Sequence, residues 1–190
     1  MIVIKKMLPI YLAVFIGCLC VAHLGNQAVT VVAESAPYAT KTCVVIDAGH
    51  GGIDGGATSC SGVLESQFNL EIAARLNDLL RFLGYETIML RTNDTSLHTE
   101  GNTIAAQKVS DLKHRVKVVN STDNAILVSI HQNTFPNSKY SGAQVFYAPN
   151  SDSASLATAM QSALIKTLNP NSNRKSRPSD GIYLMQNIQT

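Results

Sequence analysis

Apolar residues along the chain fall into short runs that alternate between two periods, and this alternation predicts the fold. Cys43 to Ile46 is a continuous β-branched run, the pattern of a strand buried on both faces. Leu64, Phe68, Ile72, Leu76, Leu79, Leu80 and Leu83 recur at three- and four-residue spacing, which predicts a helix from Ser66 to Leu83 stopped by Gly84. Glu86 to Leu90 reads as the next strand, so these three elements form a βαβ unit of right-handed sense.

The pattern then lapses. Arg91 to Ser110 is polar and aperiodic, a long loop expected to border the site. Asp111 reads as the N-cap of a helix with Leu112, Val116 and Val119 on one face, followed by the strand Ala125 to Ile130. Gly142 to Tyr147 predicts another strand and Ser153 to Leu168 a helix through Leu156, Met160, Leu164 and Leu168. Asn169 to Asp180 reads as a loop, and Ile182 to Met185 as the start of one more strand. Strand and helix alternating in this way predict a single α/β domain, with a mainly parallel, twisted sheet flanked by helices on both faces.

The first 33 residues do not share this pattern. Lys5 and Lys6 precede a mostly apolar run from Met7 to Leu24, the form of an export signal or membrane anchor. The run is long enough to span a bilayer and is taken as a retained anchor; cleavage after Val31-Val32-Ala33 is the alternative. A lipoprotein site at Cys18 fails, because Phe15-Ile16-Gly17-Cys18 lacks the leucine expected three positions earlier. Residues 34–41 then act as a linker and 42–190 as the domain, placed outside the cytoplasmic membrane. A chain of 190 residues leaves room for one core.

Charge narrows the choice of partner. A net charge of +2, with only Arg174, Lys175 and Arg177 clustered, gives no case for nucleic acid. Four cysteines are too few for a disulfide framework, and Cys18 and Cys20 lie in the apolar leader. Cys43 reads as an inert buried thiol, with a Cys43–Cys60 bridge left open as the other state.

The chemistry concentrates at strand ends. Asp47-Ala48-Gly49-His50-Gly51-Gly52 follows the first strand, and His131 follows Ala125 to Ile130 directly. In open α/β sheets ligands gather at the carboxyl edge, so adjacent strands would bring His50 and His131 around one point, with Glu65 at the helix start able to join them. Two imidazoles, one carboxylate and a water are the donor set of a catalytic zinc ion. The loop is no phosphate cradle: Asp54 occupies the place of a third glycine, and no Gly-Lys-Ser/Thr follows. His98-Thr99-Glu100 has no Pro-Cys-x-x-Cys to complete a deaminase site, and there is no Gly-x-Ser-x-Gly elbow.

Three stretches in order, VVIDAGHGGIDGGA, GVLES and ILVSIHQN, resemble the zinc-dependent N-acetylmuramoyl-L-alanine amidases of bacterial cell walls, over Cys43 to Thr190. The resemblance implies zinc ligation by His50, Glu65 and His131, a place near the site for Asn133, and peptidoglycan stem amides as substrate. DLKHRVKVVN, SGAQVFYAPN and GIYLMQN are similar to segments of the spore-cortex branch of that family. That branch implies a part in forming muramic lactam, and some clostridial relatives need an activating lipoprotein. The family's general base is a glutamate in a Val-Glu-x-Gly-Phe segment, expected beyond Thr190, so the chain reads as cut there and slow as an enzyme. A zinc-retaining peptidoglycan- or partner-binding protein without catalysis is the alternative.

Overall fold

A computed structural model of the chain describes residues 42–133, 141–149, 153–179 and 181–189; the leader and linker expected over 1–41 lie outside the described residues. Its centre is strand β1, Cys43–Ala48, every residue of which is buried. β1 pairs in parallel with β2, Glu86–Met89, on one side and with β3, Ala125–Ile130, on the other, giving the order β2-β1-β3. Successive side chains of β1 point to opposite faces. Val44, Ile46 and Ala48 meet Leu70, Ala73, Leu76 and Leu80 of helix α1, Glu65–Phe82. Cys43 and Val45 meet Val116 and Val119 of helix α2, Ile104–Asn120. The expected parallel sheet with helices on both faces is therefore present.

Its details correct several expectations. Asp47 lies within β1 and not in the loop, buried on the α2 face where a salt bridge to Arg115 offsets its loss of water. The stripe expected to bury α1 is split: Leu76 and Leu80 pack on the sheet, but Phe68, Ile72, Leu79 and Leu83 are 40%, 44%, 54% and 59% exposed. Fully buried Ala73 takes the central contact instead, because a small side chain lets the helix approach the sheet closely.

α2 starts seven residues earlier than its expected cap. Thr103, not Asp111, is the N-cap, its hydroxyl accepting the Ala106 N–H at 3.2 Å. Asp111 is a buried mid-helix residue that accepts from Ser96 and from the backbone of Leu97. The first turns of α2 escaped notice because Ile104 and Val109 are exposed, 62% and 51%, and mark no buried face.

Beyond β3 the elements are smaller. Of the strand expected over Gly142 to Tyr147 only β4, Phe146–Tyr147, forms, pairing in parallel with the two-residue β5, Arg177–Pro178. Helix α3 spans Ser153–Leu168, as its periodicity predicts. The strand expected at Ile182 is instead a short helix, α4, Tyr183–Asn187. Leu184 and the following Ile188 pack against Cys43 and Val119, on the same face of the sheet as α2. No helix among the described residues is long and apolar enough to cross a membrane.

Candidate metal centre

The register of the sheet brings two histidines to one place. Ala48 on β1 faces Ile130 on β3, and the Gly49 N–H continues the ladder to the Ile130 carbonyl at 3.0 Å. His131 therefore leaves its strand beside Gly49, and its ring lies over that residue. A methyl group on Gly49 would stand 2.3 Å from ring atoms Cε1 and Nε2, so only glycine fits.

His50 leaves β1 in the left-handed region, φ 61°, a conformation that costs a side-chain-bearing residue energy and persists where its surroundings enforce it. Here two buried arginines do so. Arg115 donates to the carbonyls of Ala48 and His50 at 3.2 and 2.9 Å while pairing with Asp47 and Asp111. Arg91 donates to the carbonyls of Ala48, Gly49 and Ser66 at 2.8, 3.0 and 2.8 Å. Every carbonyl from Ala48 to His50 thus has a charged donor.

The chain then turns back through reciprocal hydrogen bonds between Gly51 and Asp54, and returns to α1 through the Glu65 N–H to Ala57 and the Ser66 N–H to Gly55. Glu65 is the first residue of α1, not the one before it, and is 6% exposed. Its Oε1 lies 3.2 Å from His50 Nε2 and 3.1 Å from His131 Nδ1. The same oxygen accepts the Gln132 N–H at 3.0 Å and the Asn69 amide at 3.3 Å, while Oε2 accepts the Ala57 N–H at 3.0 Å. Burial pushes the Glu65 carboxyl up, but these donors outweigh it and hold the group below the usual carboxylate range.

The donor atoms of His50, Glu65 and His131 all fall within 4.8 Å of one another. Two ligands about 2.1 Å from a zinc ion at a tetrahedral angle stand roughly 3.4 Å apart, so the two observed separations from Glu65 are close to tetrahedral edges. Gly56 keeps this cradle clear, since a methyl group there would lie 2.6 Å from His50 Cδ2 and 2.7 Å from Glu65 Oε2. The residues present fit a zinc ion in number and type, and in the two separations from Glu65.

Other candidates stand apart. Asn133 is exposed, two residues past His131. His98 bonds to Ser96 within its loop, at 2.8 Å. Cys43 is a free buried thiol whose pKa burial raises, and Cys60 is free and exposed, so the structure has no bridge between them. Sequence reasoning missed the supporting shell: Arg91, Arg115, Asn69, Gln132 and, in its structural role, Asp54. The one signal available was Asp111 four residues before Arg115, a helical ion-pair spacing.

Comparison with known proteins agrees with this geometry. The family model for N-acetylmuramoyl-L-alanine amidase matches residues 44–190. The chain is 40% identical over 147 residues to the germination-specific N-acetylmuramoyl-L-alanine amidase of Bacillus subtilis, covering 76% of this chain and 61% of that protein. It is 30% identical over 154 residues to the amidase AmiA of Salmonella typhimurium, covering 78% of this chain and 46% of that one. The chain thus spans less than two thirds of the length of these relatives. The structure of the CwlD amidase from Clostridioides difficile in complex with the GerS lipoprotein superposes with a TM-score of 0.74 at 36% identity, covering 78% of this chain and 77% of that one. With three sequence motifs at one sheet edge and the same fold around them, the chain belongs to the N-acetylmuramoyl-L-alanine amidase family.

Proposed function

We propose that the protein is a zinc-dependent hydrolase that cleaves the amide between N-acetylmuramic acid and L-alanine in peptidoglycan, acting outside the cytoplasmic membrane in spore-cortex maturation. The observation that carries this reading is the convergence of His50 Nε2 and His131 Nδ1 on one oxygen of buried Glu65. The germination-specific relative supports the cortex assignment. The neighbour whose structure holds a lipoprotein supports an activating partner of that kind, and membrane attachment is assigned to residues 1–33.

His50, Glu65 and His131 hold the metal in this reading. Bound there, zinc supplies Lewis acidity for hydrolysis of the muramoyl amide. Glu65 carries one negative charge into the site and keeps it, because the Ala57, Asn69 and Gln132 donors hold it ionised. Gly49 and Gly56 leave the space that the rings and carboxylate occupy. Asn133, exposed two residues past His131, is assigned to bond a substrate carbonyl or acetamido group. The proton acceptor is a separate matter: Glu65 is committed to the metal and Asp54 to His50 and Lys108.

Zinc content and product release test the reading together. One zinc per chain is expected by elemental analysis, lost on chelation and in His131→Ala. Stem peptide with a free L-alanine N-terminus should leave muropeptides in the presence of the zinc-loaded protein. A protein that takes up no zinc overturns the metal assignment. A zinc-loaded protein that leaves the muramoyl amide intact overturns the reaction.

A further inference from the structure

The two proposed ligand histidines present different nitrogens to Glu65, and among the described residues only one of them is held from behind. His50 offers Nε2, and its Nδ1 lies 3.0 Å from Asp54 Oδ2. His131 offers Nδ1, and its Nε2 edge rests against Gly49. Asp54 is itself held: its other oxygen, Oδ1, accepts from Lys108 Nζ at 2.9 Å. Its backbone is fixed by reciprocal bonds to Gly51, at 2.7 and 3.2 Å.

Lys108 belongs to α2, and the spacing of Lys108, Asp111 and Arg115 puts all three on one face of that helix. The same face therefore grips His50 twice. Arg115 holds its carbonyl, and Lys108 holds its ring through Asp54.

Imidazole in water favours the tautomer protonated on Nε2, the wrong one for a ligand that must offer Nε2 as a lone pair. A carboxylate at Nδ1 reverses that preference, because the hydrogen bond at one ring nitrogen sets which nitrogen carries the proton. We propose that Asp54 is the positioning residue for His50, fixing its Nδ1–H tautomer and ring orientation, and that Lys108 acts through Asp54, so that helix α2 sets the affinity of a metal centre to which it supplies no ligand. This rests on the zinc reading of the site; the tautomer claim does not need the ion.

The test accordingly has a readout without metal and one with it. In the chelator-treated full chain above pH 8, the ring nitrogens of His50 are assigned by long-range proton–nitrogen correlation. His50 is expected to carry its proton on Nδ1 in the wild type and on Nε2 in Asp54→Ala, with His131 unchanged. A wild-type His50 protonated on Nε2, or an Asp54→Ala protein with His50 still protonated on Nδ1, overturns the proposal even if zinc binds.

Zinc affinity, measured by competition with a chromophoric chelator, is expected to fall about 10- to 100-fold in Asp54→Ala. Asp54→Asn, whose amide oxygen still accepts from Nδ1–H, should recover part of that loss. Lys108→Met should weaken zinc binding less than Asp54→Ala, and have no further effect on the Asp54→Ala background, since a residue acting through another is silent once that other is gone. Full additivity overturns the role of Lys108, as does an unchanged affinity in Lys108→Met, which alters a half-exposed side chain and tests the idea should Asp54→Ala fail to fold. A wild-type chain that binds no zinc but shows the expected tautomer switch refutes the metal reading and leaves the positioning of His50 by Asp54 standing.

Discussion

The carboxyl ends of β1 and β3 each supply one histidine, and they secure it by opposite means. At the end of β1, His50 has a left-handed backbone, two arginines on the preceding carbonyls, a carboxylate at its back, and a side chain 24% exposed. At the end of β3, His131 follows its strand without a turn, is 48% exposed, and has a bare glycine for a neighbour. One histidine is held by charge and hydrogen bonds, the other by the strand it extends and by the space left for it. A site built this way needs a dense polar shell only where the chain departs from regular structure, because the sheet ladder positions the other ligand.

The comparison is broken most severely from the β1 side. Arg115→Met removes the partner of Asp47 and Asp111 and leaves both carboxylates buried without it. A loss of about 3–5 kcal/mol is expected in urea denaturation of the metal-free protein, the usual cost of stranding one side of a buried pair. A change under 1 kcal/mol would mean that water reaches these groups and that the arginines are not what holds the loop.

On the β3 side the corresponding change is steric. Gly49→Ala puts a methyl group into the His131 ring, and overpacking of this kind costs about 1–3 kcal/mol. Zinc uptake should weaken with it, while the nitrogen resonances of His50 keep their positions. Movement of both histidines would show that the two strand ends are not independent.

The smallest effect sharpens the contrast through pH. Burial pushes up the carboxyls of Asp54, Glu65 and Asp111, but the donors around each outweigh it and hold all three below their ordinary values. A depressed folded-state pKa contributes stability above the unfolded value, near 4, that is lost as pH falls through the folded one. The melting temperature of the chelated protein should therefore be level from pH 7 to 5 and decline below pH 4. Asp54→Asn should decline less, and a wild-type protein that gains stability on acidification would contradict the assignment.

Residue patterns carried the frame of the molecule and the three donors, but little of what holds those donors in place. β1, β3 and α3 were legible because each is a long run with one consistent period. Glu65 and the two histidines were legible because strand and helix ends are visible in sequence. Asp111 was misread as a cap because a carboxylate before an apolar stripe has two readings, and only the position of Ser96, Leu97 and Arg115 chooses between them. Ile182 was misread because five residues are too few to reveal a period, and it is contact with Val119 and Cys43 that makes the segment helical. The roles of Arg91 and Arg115 are invisible locally, since the carbonyls they hold from Ala48 to His50 lie more than 40 residues away.

The pairing of β3 with β1 also sets an order of events during folding. Asp47 and Ser129, which bond across these strands, are 82 residues apart in the chain, whereas β1, α1 and β2 are consecutive. Contacts that close so long a loop come late, because its entropy is lost before the pairing returns anything. Until β3 docks, His50 and Glu65 can be close but His131 is elsewhere, and a pair of donors holds zinc poorly. Tight metal capture would thus follow the docking of β3 on β1, making the ion a reporter of the paired sheet rather than a seed for it.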